Sequence, residues 1–369
     1  MALTVAGIDV FKLSIPLRRP FAIALGSIER ADNILIRVRA SDGSYGLGEG
    51  SPLWVVTGET QAIAFEAAKM LGRPLIGKDP LAIEARMDEL DRAMANNPTA
   101  KSAFDLALYD LAAKQAGLPL YALLGGEKRS FRTDDTIGIN PPEVMAQAAL
   151  DVKQRGFPAV KVKLGTNHDD DVARIRAIRT AVGHDIPIRI DANQGWDPLT
   201  AVQTLRDLAQ FGIEYCEQPV AHWNVEGLRQ VRAVSPIPIM ADESLFDHHD
   251  AYRLASLGAC DYFNIKLAKS GGIHTALKID AIAEGAGIRC MLGCMWETRL
   301  ALSAGAHLVS ARPNIAFADL DGHTGHAEDP ISGGITYDGG QIHLPDAPGH
   351  GADIPEGVLD RLEQWSISA

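Results

Sequence analysis

The chain opens with alternating apolar and polar positions and then changes to a helical pattern. Three segments within residues 1 to 50, VAGIDVFKLSI, NILIRVRA and SYGLGEG, alternate as half-buried strands do, and Asp42-Gly43 supplies a turn between the last two. From about Thr60 the apolar residues recur at helical spacing in Ala-rich stretches, and Gly117 is placed to end the last helix. Strands followed by segregated helices predict an α+β domain.

From about Asp135 short β-branched runs alternate with amphipathic helical stretches. Eight such runs occur, at 136–139, 160–164, 186–191, 213–217, 237–242, 262–266, 288–292 and 315–319. Eight strand-plus-helix units are the number that closes a (β/α) barrel. The sequence therefore predicts an α/β fold, a modified TIM barrel at residues 129–322 with an α+β capping domain at residues 1–128. The Gly- and Pro-rich segment at residues 323–369 is predicted to pack back on the capping domain.

Composition narrows the classes of function. The chain has 369 residues, 46% of them hydrophobic and 22% charged, as in ordinary globular proteins. A net charge of −12 argues against a nucleic-acid partner, which requires clustered Lys and Arg. No signal peptide or membrane-spanning stretch is evident, so we expect no membrane association and a cytoplasmic location. The glycines of GSYGLGEG lie in a predicted hairpin, so no dinucleotide site is expected.

Three carboxylates close successive predicted strands, Asp191 in IPIRIDAN, Glu217 in IEYCEQP and Asp242 in IPIMADES. Lys163 and Lys266 close the strands on either side, and the gaps along this series are 28, 26, 25 and 24 residues, about one strand-plus-helix unit each. All five side chains should therefore lie at the carboxyl ends of barrel strands, where active sites form. A single acid there could be a helix cap, but three converging oxygen ligands predict one Mg²⁺ per subunit.

The two lysines close strands two and six of eight, which are opposite each other in a closed ring. Lys163 and Lys266 should therefore face each other across the barrel mouth. Lys161 lies on the same strand face as Lys163, and a neighbouring ammonium together with burial should lower the pKa of one lysine. A lysine with such a pKa is a competent base. The alternative is a set of solvated ion pairs that contribute little energy.

The end of the eighth strand reads FADLDGH and brings Asp319 and Asp321 to the same mouth, opposite the metal carboxylates. Two acids without a metal role predict a bound cation. The alternative is an aspartate that caps a local turn.

Together these segments resemble the enolase superfamily, and within it the muconate-lactonizing enzyme subgroup. The matching segments are KVK (161–163), DAN (191–193), EQP (217–219), ADES (241–244) and NIKLAKSGG (264–272), and the resemblance extends over essentially the whole chain. It implies an enolase-like barrel in which Asp191, Glu217 and Asp242 hold Mg²⁺ and Lys163 and Lys266 form an acid/base pair. It further implies that Asn193 and Glu243 are supporting residues and that Lys161 neutralises a substrate carboxylate.

Asp319-Leu320-Asp321 resembles the Asp-x-Asp motif with which dipeptide epimerases hold the α-ammonium group of a dipeptide. The resemblance thus implies a small-molecule dipeptide substrate and a two-base proton transfer at the α-carbon of its C-terminal residue. Further substrate-binding residues implied by position are Thr136, Leu25, Met295, Trp296 and Glu297. The segment AIALGSIER places Leu25 where epimerases acting on Ala-Glu carry a cation, which favours a neutral or hydrophobic second residue. Ala-Glu remains a candidate if Arg18, Arg19 or Arg30 reaches the substrate.

Three alternatives remain open at the level of sequence. An N-acylamino acid racemase or o-succinylbenzoate synthase would share the scaffold, as would a muconate cycloisomerase, but their substrates carry no ammonium for Asp319 and Asp321. A non-catalytic metal-binding barrel would not require the paired lysines. We also expect a homo-oligomer.

Overall fold

The computed structural model describes residues 2–369. Its N-terminal part contains β1 (Val5–Ile23), β2 (Gly26–Ala40), β3 (Tyr45–Gly50), α1 (Gln61–Gly72), α2 (Ile83–Ala93), α3 (Pro98–Ala116) and α4 (Leu120–Leu123). The three strands form an antiparallel sheet, and α1 to α3 pack on it. Thr60 caps α1 by accepting a hydrogen bond from the Ile63 N–H, and Gly117 ends α3 with a left-handed φ of 65°.

The central part alternates strands and helices. Its elements are β4 (Phe131–Arg132), β5 (Asp135–Ile137), α5 (Pro142–Gln154), β6 (Val160–Lys163), α6 (His168–Val182), β7 (Ile188–Asp191), α7 (Pro198–Leu208), β8 (Ile213–Glu217), α8 (Val225–Val234), β9 (Ile239–Ala241), α9 (His248–Leu257), β10 (Tyr262–Lys266), α10 (Leu267–Ser270), α11 (Ile273–Gly285), β11 (Arg289–Gly293), α12 (Arg299–Ala311) and β12 (Ile315–Ala318). Strands β5 to β12 form one parallel sheet in chain order. The Asp134 N–H donates to the Ala318 carbonyl at 3.4 Å and links the first strand region to the last. The predicted barrel is confirmed, and each of the eight predicted runs contains or overlaps a strand.

The C-terminal segment contributes to both parts. It contains β13 (Ser332–Gly333), β14 (Thr336–Asp338), β15 (Gln341–His343), β16 (Ala352–Asp353), α13 (Glu356–Leu359) and β17 (Gln364–Ser368). Strand β17 pairs with β1 and completes a four-stranded capping sheet in the order β17-β1-β2-β3. Strand β15 pairs instead with β4, next to the barrel. No helix among residues 2–369 is long and apolar enough to cross a membrane.

Alternation within the barrel strands separates apolar from charged side chains. In β6, Val160 and Val162 belong to the core between the sheet and its helices, whereas Lys161 and Lys163 contact carboxylates of other strands. Successive strand residues point to opposite faces of a sheet, so the two lysines must point into the barrel. The same period in β7 places Asp191 inside the barrel, beside Lys163.

Two buried acids of the N-terminal part bind the N-termini of barrel helices. Glu49 accepts hydrogen bonds from the N–H groups of Thr298 (2.9 Å) and Ala301 (3.1 Å), at the start of α12. Asp105 accepts from the N–H groups of Ile273 (2.5 Å) and His274 (3.1 Å), at the start of α11. Helix N-termini carry unsatisfied donors and a partial positive charge, which suits a carboxylate. Because barrel helices begin at the mouth, these contacts hold the capping sheet and helices over it.

The spaced glycines of β3 allow a close helix contact and do not form a nucleotide loop. A Cβ atom at Gly48 would lie 1.9 Å from the Ala103 carbonyl oxygen of α3, and one at Gly46 would lie 2.0 Å from that of Ala107. The absence of side chains on this strand face therefore sets the distance between β3 and α3.

Replacing Gly48 with Ala should lower the free energy of unfolding by about 3 kcal/mol, because a rigid backbone must move to admit the methyl group. Denaturant unfolding monitored by circular dichroism measures the change. Gly285→Ala is the matched control, since no atom lies within 4 Å of a Cβ placed there. An equal effect of the two substitutions would contradict the close-packing role of Gly48.

Candidate active site

A cavity of about 130 Å³ lies between the barrel mouth and the capping part. Barrel residues supply its polar lining, namely Thr136, Lys163, Asn193, Lys266, Cys294, Asp319, Asp321 and Thr324. Its apolar lining consists of Phe21, Ile23, Ile28, Leu53 and Val56 from the capping part with Met295 and Trp296 from the loop after β11. The charged groups of the lining thus all come from the barrel, whereas most of its apolar residues come from the capping part.

Three buried carboxylates stand side by side at the ends of β7, β8 and β9. Asp191 pairs with Glu217 in the register of the parallel strands, and Asp242 follows β9 directly. One oxygen from each lies within 4.8 Å of the others, and none of the three residues is more than 1% exposed. Burial, together with the charge of Asp191, raises the pKa of Glu217 to about 8.

This cluster fits a small divalent cation. Glu217 Oε2 contacts only the Lys161 ammonium and Asp242 Oδ1 only the Lys269 ammonium, each at 2.8 Å, and neither oxygen has another hydrogen-bond partner. Carboxylate oxygens without nitrogen or sulfur ligands suit Mg²⁺, which keeps its remaining positions for water or substrate. The predicted ligands Asp191, Glu217 and Asp242 therefore lie together with a donor set that could hold this ion.

The two predicted catalytic lysines lie at the two ends of the carboxylate arc. Lys163 Nζ is 2.6 Å from Asp191 Oδ2, and Lys266 Nζ is 2.8 Å from Asp242 Oδ2. Both side chains line the cavity. Lys161 lies deeper and is fully buried between carboxylates of β8 and the β12 end, 2.8 Å from Glu217 and 2.5 Å from Asp319.

Of the Lys161–Lys163 pair, for which the sequence predicts one lowered pKa, Lys161 has a raised pKa instead, and the pKa of Lys266 is raised as well. Burial alone lowers the pKa of each, but the adjacent carboxylates outweigh burial, and both pKa values are raised. The main opposing charges are Asp319 for Lys161 and Asp242 for Lys266. The sequence argument considered a neighbouring ammonium and did not count the carboxylates around it.

Asp319 and Asp321 both line the cavity, across from the metal carboxylates. Asp319 Oδ1 lies 3.4 Å from the Thr136 hydroxyl, and Asp321 Oδ2 accepts from the Thr136 N–H at 2.7 Å. Burial raises the pKa of Asp319, but Lys161 outweighs burial and the net shift is downward. Burial and the charge of Asp319 raise the pKa of Asp321 to about 7. The Asp321 side chain caps no local turn, which removes that alternative.

Most of the other predicted residues reach the site, and two do not. Thr136, Met295, Trp296 and Asn193 line the cavity, and Asn193 Nδ2 donates to Glu243 Oε1 at 3.2 Å. Leu25 is at the tip of the β1–β2 hairpin, outside the cavity lining. Glu297 is buried behind the wall and accepts from the Met295 N–H at 2.6 Å, so it supports the loop and does not line the cavity.

Sequence reasoning named none of the individual residues that form the apolar wall from the capping part. Phe21, which packs edge-on against Trp296 at 5.1 Å, comes from the end of β1. Ile28 and Leu53 are also part of this wall. The strand-like alternation of the N-terminal segments could have indicated a hairpin, but it carries no information about which residues meet the barrel mouth.

Comparison with known proteins relates the chain to one family over most of its length. Sequence models of the mandelate racemase/muconate lactonizing enzyme N-terminal domain and of the enolase C-terminal domain-like group match residues 6–125 and 143–358. The hydrophobic dipeptide epimerase of Enterococcus faecalis is 46% identical over 325 residues, 88% of this chain and 92% of that protein.

Solved structures give the same relationship. The dipeptide epimerase of Cytophaga hutchinsonii, complexed with Mg and D-Ala-L-Val, superposes over 100% of both chains with a TM-score of 0.97 and 41% identity. The N-succinyl Arg/Lys racemase of Bacillus cereus also superposes over 100% of both chains, with a TM-score of 0.95 and 36% identity.

Mg²⁺ should stabilise the protein more at about pH 9 than at about pH 6.5. The pKa of Glu217 is about 8 in the folded protein, against an ordinary value of 4.5. Protonated Glu217 therefore contributes stability at low pH, and this contribution is lost as the pH rises through 8. Above that pH the Glu217 carboxylate is ionised, so no proton competes with Mg²⁺ for it. Thermal unfolding with and without Mg²⁺ at both pH values measures the difference. An equal shift at both, or a persisting difference in Glu217→Gln, would contradict this assignment.

Proposed function

The chain belongs to the mandelate racemase/muconate lactonizing enzyme family of the enolase superfamily, and from this membership we propose that it is a Mg²⁺-dependent dipeptide epimerase. It inverts the α-carbon of the C-terminal residue of a dipeptide that has a free amino group. The observation that carries the proposal is one cavity lined by a lysine at each end of a carboxylate arc, with two further acids across from the arc.

Asp191, Glu217 and Asp242 hold Mg²⁺ in this proposal. When bound, the ion supplies positive charge beside the substrate carboxylate, where negative charge develops as the α-proton leaves. Lys161, which is buried between Glu217 and Asp319, adds a fixed positive charge below the same region.

Lys163 and Lys266 transfer the proton. One removes it from one face of the α-carbon, and the other delivers a proton to the opposite face. Asp242 and Glu217 favour the charged form of Lys266. A cation held by these carboxylates would offset their charge, and burial would then lower the pKa of Lys266 toward the range of a working base.

Asp319 and Asp321 receive the α-ammonium group of the first residue. Two extended residues span about 7 Å, which suits a substrate with its carboxylate at the metal and its ammonium at the acids. An N-acylated amino acid places an uncharged group there, so that Asp319 and Asp321 face an acyl group at an electrostatic cost. This separates the proposed activity from that of an N-acylamino acid racemase or muconate cycloisomerase.

The apolar wall favours a neutral or hydrophobic second residue. Among residues 2–369, the cations that line the cavity are Lys163 and Lys266. Arg30 lies 3.6 Å from Asp32, outside the cavity lining, and Arg18 Nε donates to the His326 carbonyl at 2.8 Å. A glutamate side chain on the second residue would therefore find no cation in the cavity lining other than Lys163 and Lys266, which transfer the proton. The homo-oligomeric state and the cytoplasmic location stay predictions.

Incubation in D₂O should exchange the α-proton of free-amine dipeptides, most efficiently those with a hydrophobic C-terminal residue. The apolar wall accommodates such side chains, and the acids require the ammonium. Proton NMR over a dipeptide library measures the exchange, with matched N-acylated amino acids and amidated dipeptides as controls. Exchange of N-acylated amino acids alone would overturn the proposed function.

Asp321→Asn should raise KM for free-amine dipeptides by about 10-fold, because a charged partner of the ammonium is lost. The Asn oxygen can still accept from the Thr136 N–H, so the local structure should persist. Exchange of any N-acylated substrate should change less. Equal losses for the two substrate types would remove the ammonium role.

Lys163→Ala and Lys266→Ala should each abolish epimerisation, with a loss of at least about 10²–10⁴-fold, while each retains α-proton exchange from one stereoisomer. The remaining lysine still serves its own face of the α-carbon. Chiral chromatography of product and NMR exchange of each stereoisomer measure the two effects. Lys153→Ala, on the surface beside Asp185, is the control. Normal epimerisation by either site variant would show that the two-base assignment is wrong.

A further inference from the structure

Gln218 follows Glu217 in the EQP segment, and none of the roles above uses it. The residue is fully buried, and its backbone φ of 33° lies in the left-handed region that residues other than glycine seldom adopt. Such a conformation persists only where the surrounding structure compensates for it, and it is most often found at functional sites. This side chain therefore warrants a specific explanation.

The Gln218 amide uses all of its hydrogen-bonding capacity. Its Oε1 accepts from the backbone N–H groups of Asp242 (2.9 Å) and Ser244 (3.2 Å). Its Nε2 donates to the Val220 carbonyl (2.9 Å) and the Ser244 hydroxyl (2.8 Å). A side-chain amide offers two donors and one oxygen with two lone pairs, so no capacity is left over.

These hydrogen bonds continue the pairing of β8 with β9 by one residue, next to the buried carboxylates. The pairing of β8 with β9 ends at Glu217 and Met240, and the Gln218 N–H still donates to the Met240 carbonyl at 2.9 Å. The next backbone donor, the Asp242 N–H, has no strand partner and donates instead to the Gln218 side chain. The left-handed turn at Gln218 thus places its side-chain oxygen where it accepts from the Asp242 N–H and fixes the position of the Asp242 backbone.

The backbone of Gln218 also reaches the third carboxylate strand. Its carbonyl accepts from the Gln194 N–H at 2.8 Å, in the turn that follows Asp191. One residue therefore connects the ends of β7, β8 and β9, each of which supplies one carboxylate of the cluster.

We propose that Gln218 is a positioning residue that fixes Asp242 relative to Glu217 and so sets the spacing of the Mg²⁺ ligands. This inference rests on the proposed function, because it takes those carboxylates as the ligands. It assigns Gln218 no contact with metal or substrate. Its effect is exerted through the Asp242 backbone and through its peptide bond to Glu217.

Gln218→Gly tests the side chain separately from the backbone, since glycine accepts a positive φ while the four hydrogen bonds are lost. Groups that orient metal ligands typically contribute 10- to 100-fold to affinity, so the Mg²⁺ dissociation constant should rise by about 10-fold or more. Isothermal titration of metal-free protein measures it. Gln218→Met, which keeps the volume without the hydrogen bonds, should show the same loss and serves if the Gly variant does not fold.

Gln194→Gly is the matched control. Gln194 is also a left-handed glutamine after a carboxylate strand, with a φ of 69°, but its side chain accepts from the backbone and ring nitrogens of His222 and touches no carboxylate. This variant should bind Mg²⁺ as the wild type does. A second readout is the dependence of epimerisation on Mg²⁺, because a positioning defect should be overcome at high Mg²⁺ and a damaged fold should not.

Unchanged Mg²⁺ affinity in the folded Gln218 variants, or equal losses in the Gln218 and Gln194 variants, would overturn the positioning role. Failure of the wild-type protein itself to bind Mg²⁺ would instead overturn the proposed function. The two failures are therefore distinguishable in one titration series.

Discussion

Mutual repulsion among carboxylates buried at the barrel mouth is the constraint on which the rest of the site depends. The parallel register places Asp191 beside Glu217, and Asp242 follows one strand later, so three carboxyl groups share a medium that screens charge poorly, and the pKa of Glu217 rises to about 8. Lys163 and Lys266 neutralise the two ends of this arc. In the proposed reaction, the lysines that transfer the proton are thus the groups that balance the carboxylates of the ion site. Metal binding and base activation in that reaction are therefore two consequences of one charge arrangement.

The capping part depends on a related use of buried acids. Glu49 and Asp105 have few compensating positive charges nearby, and burial raises the pKa of both, that of Asp105 to about 8. Each instead binds the donors at the start of a barrel helix, α12 or α11. These contacts hold Ile28 and Leu53 against the mouth, where they form part of the apolar wall. In the proposed reaction the barrel accordingly supplies the charged groups that transfer the proton, while the attached cap supplies most of the apolar surface that meets the substrate side chain.

The sequence predicted the barrel and its carboxylate arc because both follow from periodicity. Alternation with a period of two identifies the residues that point into the barrel. Charged residues that recur once per strand-plus-helix unit, such as Asp191, identify the carboxyl ends of the strands. Leu25 and Glu297 lie outside the cavity lining, and the sequence could not show this because hairpin tips and loops have no such period. The raised pKa of Lys161 was not foreseen because it depends on distances to carboxylates of other strands. Gln218 appeared only as one letter of a motif, since a side chain that completes a sheet has no pattern in sequence.

The two acids of the β12 end are chemically unequal, and this bears on how a charged substrate is distinguished from an uncharged one. Asp319 is paired with Lys161 and has a lowered pKa, whereas Asp321 has a pKa of about 7 and carries a proton part of the time near neutrality. An approaching ammonium favours the ionised form of Asp321 and gains a full charge partner. An acyl group carries no charge, so it favours the protonated form of Asp321 and gains no charge partner. Recognition of the amino terminus in the proposed reaction is therefore coupled to ionisation of Asp321, because Lys161 already occupies its neighbour.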